Sequence, residues 1–197
     1  KLILRYLKLV GGDVSSSNGA GGSIYIYTNG GELNLYSSIV FNNKAYSGGG
    51  IDAQGASSTN KNAIMNIYNS IIHNNEATTA GGGYGGGISM YNAVATIYNT
   101  TIDYNQASSA GGGMGISNSD VTMKNTIISN NDAGYYGGGL NIQRDSTTVT
   151  LRQSSFINND ATYNGDEIYT YESPTISLIN TYFNNPNNNN NIYEGLM

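Results

Sequence analysis

Cysteine and tryptophan are absent from this 197-residue chain, proline occurs twice and histidine once. Without cysteine there is no disulfide framework and no thiolate metal site. With His73 the only imidazole, a multi-histidine metal site cannot form within the chain. Charge is scarce as well: Asp, Glu, Lys and Arg make up 11% of the residues, and the net charge is −5. A nucleic-acid partner calls for a basic stripe that displaces counterions, and an anionic membrane surface for a polybasic segment. The sequence carries neither, so no nucleic acid and no direct membrane insertion by this segment is expected. The longest apolar stretch, residues 2–10, is interrupted by Arg5, Tyr6 and Lys8, well short of a membrane-spanning helix. No segment keeps a helical period over several turns. The chain starts at Lys1 with no initiator methionine or signal peptide, which reads as an excised piece of a longer protein.

What is present is glycine, asparagine and regularly spaced aliphatic residues, and the spacing argues against disorder. Asn43, Asn75, Asn105, Asn131 and Asn159 recur every 26–32 residues. Five residues before each stands a hydroxyl (Ser38, Ser70, Thr100, Thr126, Ser154), and three before each an aliphatic or Phe (Val40, Ile72, Ile102, Ile128, Phe156). An alanine follows two residues after each: Ala45, Ala77, Ala107, Ala133 and Ala161. Each unit also carries two short segments with apolar residues two apart, such as Ile88/Met90 and Ala95/Ile97, the period of a half-buried strand. Glycine triplets at 48–50, 85–87, 111–113 and 137–139 mark a repeated corner.

A unit of this length cannot bury its apolar side alone, but stacked units can. The expected fold is all-β: a right-handed parallel β-helix of about six to seven rungs, roughly 30 Å long at one strand spacing per rung. Residues 1–197 form one such domain, with 185–197 an irregular, low-complexity tail. Stacking turns each sequence column into a ladder. The hydroxyl column is expected to hydrogen-bond within the coil, and the Asn column to sit at a corner in left-handed backbone, pairing through its amides.

"FINNDA" (156–161) and "GGSI" (21–24) resemble the FxxN and GGA[ILV] repeats of chlamydial polymorphic outer-membrane proteins, within the wider pectin-lyase-like β-helix superfamily. The resemblance spans about residues 20–186. Here Phe is mostly replaced by Ile or Val, and the third residue of GGA is mostly Gly. It implies the β-helical passenger region of a surface adhesin.

Chemistry is sparse. Gly81, Gly83 and Gly86 satisfy GxGxxG, but "ISMYNA" follows them as a strand, where a dinucleotide site needs a helix N-terminus. No cofactor is expected. His73 and Asp103 fall in adjacent rungs, without a serine nucleophile and oxyanion site to complete a triad. Asp132 and Asp160 also stack; they are candidates for a cation or a solvated corner. Catalysis is therefore not expected.

The outward columns are the remaining source of function. Tyr36, Tyr68 and Tyr98 form one tyrosine file, beside a file of Asn and Thr. Tyrosine offers an apolar ring with a polar tip, suited to carbohydrate or protein. Tyr84 is set apart as a tyrosine pushed out of the glycine corner by an insertion at residues 81–84. A second insertion, "QGASSTNKN" (54–62), lengthens another loop. Asn99 heads the one glycosylation sequon, of consequence in a eukaryotic secreted protein. The expectation is a non-catalytic extracellular or cell-surface β-solenoid: an adhesin, scaffold or filament subunit. Its partner would be a host or neighbouring-cell surface protein or glycan, or further copies stacked end to end. The alternatives are a carbohydrate-binding or polysaccharide-degrading β-helix and, more remotely, an ice-binding protein.

Overall fold

The period-two segments do become strands, and each pairs in parallel with its equivalent one repeat away. A computed structural model describes residues 1–17, 19–28, 30–56, 63–79, 82–185 and 191–195. The chain winds as a parallel β-solenoid of about six turns, with four stacks of strands running along its length. Sheet I contains Ile24–Thr28, Ile51–Gly55, Ile88–Tyr91, Met114–Ser117, Leu140–Gln143, Ile168–Tyr171 and Ile192–Gly195. Sheet II follows it in each turn and runs from Leu2–Arg5 through Ala93–Tyr98 to Thr175–Ile179. Sheet III is built of three-residue strands from Lys8–Val10 to Tyr182–Asn184. Sheet IV is built of two-residue strands from Lys44–Ala45 to Asp160–Ala161. Ser15–Ser17 is a short 3₁₀ turn.

The register matches the sequence columns residue for residue. Ile88 pairs with Ile51 and Met114, Ile97 with Ile67 and Met123, and Ile102 with Ile72 and Ile128. These inward ladders are sealed from water along the middle rungs and form one continuous core. Each fully buried Ile or Leu contributes about 1.5–3 kcal/mol, which only stacking makes available. At the terminal rungs the same columns open: Leu2 is 49% exposed and Leu178 40%.

Two polar ladders hold the corners. Between sheets II and III, the hydroxyls of Ser38, Ser70, Thr100, Thr126 and Ser154 each donate to the carbonyl two residues earlier. They also accept backbone N–H groups from the neighbouring rung, as Ser70 does from Ser38. Between sheets III and IV runs the asparagine ladder. Nδ2 of Asn43, Asn75, Asn105 and Asn131 donates to Oδ1 of the next asparagine at 2.8–3.0 Å. The second Nδ2 proton goes to a carbonyl of the rung on the other side, such as Ile72 O for Asn105. Oδ1 also accepts the neighbour's backbone N–H. Every strong donor and acceptor of these buried amides is thus used.

One expectation is corrected here. The ladder asparagines are not the left-handed residues. Positive φ belongs to the residue just before each: Asn42, Asn74, Tyr104, Asn130 and Asn158. The bend is made there, and the ladder residue is left free to point its amide along the axis.

Candidate functional site

The glycine corner gives sheet I an unusual outer face. A side chain pointing outward from a strand normally meets solvent. At the start of each corner, however, Ser47, Tyr84, Ala110, Tyr136 and Asn164 occupy equivalent positions, the first four before a glycine triplet and Asn164 before Gly165, and Tyr84, Ala110, Tyr136 and Asn164 form successive parallel bridges. This narrow extra file lies beside sheet I and covers the second residue of its strands. That residue is Asp52, Ser89, Gly115, Asn141 or Tyr169 in successive rungs, all of one register. Asp52 is fully buried, and Asn141 and Tyr169 are 1% and 9% exposed.

Tyr84 therefore needs a different account. It is no extruded insertion residue: its carbonyl accepts the N–H of Gly48, and it bridges to Ala110. The extra residues of this turn precede it. Gly115 is the only residue of the covered column without a side chain, and Tyr84 lies over it; a Cβ on Gly115 would stand 3.2 Å from Tyr84 Cβ.

The result is a groove along the solenoid axis with Tyr84 at its centre. One cavity, of about 300 Å³, runs from Ser47 and Gln54 past Ser89 and Tyr91 to Asn141 and Arg144. A second, of about 400 Å³, is walled by Tyr84, Tyr135, Tyr136, Tyr169 and Tyr171. Tyr84 and Gln143 line both. From Gln54 to Tyr171 the groove crosses four rung steps, roughly 19 Å at about 4.8 Å each. The aromatic walls are braced. Tyr169 stacks between Tyr136 (4.6 Å between centroids) and Tyr193 (5.7 Å), and Tyr135 lies parallel to Tyr163 at 5.5 Å. Burial, then the neighbouring tyrosines, raises the Tyr169 phenol above its usual range, so it is neutral at physiological pH.

Two buried polar groups flank this floor. Asp52 has no hydrogen-bond partner on either carboxyl oxygen by strict geometry. The side chains of Ser89, Gln54 and Ser47 lie near enough to temper the effect, but burial dominates and pushes its pKa up to about 7. Asn141 Nδ2, lining the first cavity, is likewise without a partner.

The residues singled out from sequence are scattered by comparison. Tyr36 and Tyr68 do stack, at 5.1 Å and 11°, with the Arg5 guanidinium 4.1 Å over Tyr36. Tyr98 continues the register, and its hydroxyl meets Asn125 Nδ2 at 3.5 Å. All three belong to sheet II, away from the groove, so of the four tyrosines only Tyr84 reaches it. His73 and Asp103 are register partners on sheet III. His73 stacks on Phe41 at 5.2 Å, and Asp103 Oδ1 has no hydrogen-bond partner. Burial raises the Asp103 pKa, with His73 opposing it.

Asp132 and Asp160 are adjacent and exposed in sheet IV, with Gln106 Nε2 donating to Asp132 at 3.0 Å. The column continues into the Lys44–Glu76 ion pair, at 3.0 Å. Among the described residues no group of three or more His, Asp or Glu could hold a metal. Asn99 turns the corner between sheets II and III at φ 49°, its Nδ2 donating to Asn69. Gly81 of the GxGxxG match, most of the 54–62 insertion and most of the low-complexity tail lie outside the described residues.

Asp52, Tyr136, Asn141 and Gln143 are not evident from the sequence, because alternation places Asp52, Asn141 and Gln143 simply on the outer side of sheet I and Tyr136 stands in the corner before a glycine triplet. The signal was the residue before each glycine triplet, whose column (Ser47, Tyr84, Ala110, Tyr136) was not read as a strand file. Compared with known proteins, the chain matches no family model, no curated relative and no solved structure.

Proposed function

We propose that this β-solenoid is a non-catalytic binding scaffold of the extracellular or cell-surface kind, using the groove of sheet I to hold a glycan or protein segment. The carrying observation is the groove itself: a trough of tyrosine rings, hydroxyls and amides, fixed by stacking on a rigid coil. Pre-set rings bind without an ordering cost, and tyrosine contributes both faces and hydroxyls. A polysaccharide hydrolase would need an acid and a second carboxylate at the trough. The described lining residues of both cavities offer rings, hydroxyls, amides and Arg144 instead. The resemblance to polymorphic outer-membrane repeats agrees with an adhesin; in the coil, the Phe of "FINN" is the core residue Phe156 and its last Asn is the ladder residue Asn159.

A glycan and surface-protein array, probed with the wild type and with Tyr84→Ala, tests this reading. Binding without reducing-sugar or unsaturated-product release, lost in Tyr84→Ala but kept in Tyr98→Ala, is the expected outcome. Turnover abolished by Asp103→Ala, or binding indifferent to Tyr84, overturns it.

A further inference from the structure

We infer that the tyrosine-walled half of the groove is a subsite for a quaternary ammonium group, of which choline is the simplest carrier. The inference rests on the groove being the protein's contact face, and it names what one half of that face selects. Five of its lining side chains are tyrosines (84, 135, 136, 169 and 171), and the others are Ser109, Ala110 and Gln143. No charged side chain lines it among the described residues. A lysine-type ammonium would surrender strong hydration here for few acceptors. A trimethylammonium group holds water weakly and is attracted by the negative faces of several rings at once.

The walls suit this use because they are already in place. Tyr136, Tyr169 and Tyr193 form one stack and Tyr135 and Tyr163 another, leaving the partly exposed Tyr84 and Tyr171 at the rim. The surrounding charge has the matching sign. Asp145 and Glu172 share the adjoining cavity with Tyr171, and the chain as a whole is acidic. Arg144, which lines the other half of the groove, faces Glu172 at 3.9 Å and offsets that carboxylate, so the excess negative charge beside this half is that of Asp145. An anionic group would enter this half against that field; a soft cation enters with it.

The test is a titration of the whole chain, followed by tyrosine ring NMR signals, with choline chloride and with 3,3-dimethylbutan-1-ol, which has the same shape without the charge. Choline is expected to bind about tenfold more tightly than the neutral isostere. Tyr171→Phe, which keeps the ring, is expected to retain choline binding; Tyr171→Leu, which removes it, to weaken it about fivefold. If Tyr171→Leu perturbs the fold by circular dichroism, the pair Tyr84→Phe and Tyr84→Leu makes the same comparison. Phosphocholine and Nε-trimethyllysine, titrated in parallel, identify the carrier, and tighter binding of either than of its unmethylated counterpart supports the subsite. Equal binding of choline and the isostere, no choline binding at all, or equal loss in the Phe and Leu variants overturns it. Glycan-array binding that depends on Tyr84, with no response to choline, would remove this subsite and leave the groove's general role standing.

Discussion

Glu167 completes the asparagine ladder: its Oε2 accepts the side-chain N–H of Asn159, where every earlier rung supplies another asparagine. It does so from the third position of the glycine corner, the place held by Gly139 one rung earlier. The substitution solves the problem of ending a ladder of amides with an acceptor. It also buries a carboxyl group whose Oε1 has no partner.

Burial accordingly raises the Glu167 pKa to about 7, with Asp166 adding to the rise and Asn159 opposing it. Asp52 is raised to about 7 as well, chiefly by burial. Folding thus favours the protonated form of both groups. Their contribution to stability is complete below the unfolded pKa values, near 4, and is lost as the pH climbs through 7. A shift of this size on Glu167 corresponds to about 3 kcal/mol. Thermal melts should therefore give a higher Tm at pH 5 than at pH 7.5. Glu167→Gln, which keeps the acceptor and removes the titration, should flatten that slope. A Tm that rises steadily from pH 5 to 7.5 in the wild type would contradict this account.

The middle of the ladder should be far less forgiving than its end. Asn105 receives both the backbone N–H and the Nδ2 of Asn75, and donates to Asn131 and to Ile72 O. Asn105→Ala strands several buried groups at once, each at about 1–3 kcal/mol. A loss of about 4 kcal/mol in urea unfolding is expected, whereas exposed Asn99→Ala, which removes one surface bond to Asn69 and puts alanine in left-handed backbone, should cost about 1–2 kcal/mol.

Glycines of this chain divide in the same way. A Cβ on Gly112 would lie 2.5 Å from Asp132 O and 2.6 Å from Gly138 O, both backbone atoms of the adjoining rung. Gly112→Ala must push two rungs apart, at an expected cost of about 3 kcal/mol or more. Gly11 has a positive φ (74°), which Gly112 does not, but a Cβ there meets nothing within 4 Å. Gly11→Ala should cost only the backbone term, about 1 kcal/mol. Equal effects in denaturant melts would refute the distinction.

How far the sequence carried these points depends on the range of the interaction. The inward columns were legible because parallel stacking repeats a local pattern: Ile72, Ile102 and Ile128 are spaced by one turn each, and so they pair. The asparagine ladder was legible for the same reason, but its bend was misplaced by one residue, since Asn42 and Asn43 are both asparagines and only φ tells them apart. The groove was not legible. Whether Asp52 faces water depends on a corner file that passes through Ser47 and packs back over the strand. Tyr84 was picked out for the wrong reason, as an insertion, although it belongs to a regular bridge between rungs. Tyr36 and Tyr68 followed the ladder rule and stacked, yet they stand on a different sheet from the cavity-forming tyrosines.

Tyr84 and Gly115 link the coil's packing to the groove, and one methyl group tests that link. A Cβ on Gly115 would sit 3.1 Å from Gly85 N and 3.2 Å from Tyr84 Cβ, close enough that Tyr84 must move by a few tenths of an ångström. Gly85 cannot yield easily, because its φ of 65° and its hydrogen bond to Ala110 O fix the corner. The displacement therefore falls on the Tyr84 side chain, which borders both cavities. Gly115→Ala is expected to cost about 1 kcal/mol of stability and to weaken groove binding severalfold, while leaving the Tyr36–Tyr68 stack and the sheet II surface unchanged. Wild-type affinity in Gly115→Ala, together with a loss in Tyr84→Ala, would show that the ring adjusts independently of the floor beneath it.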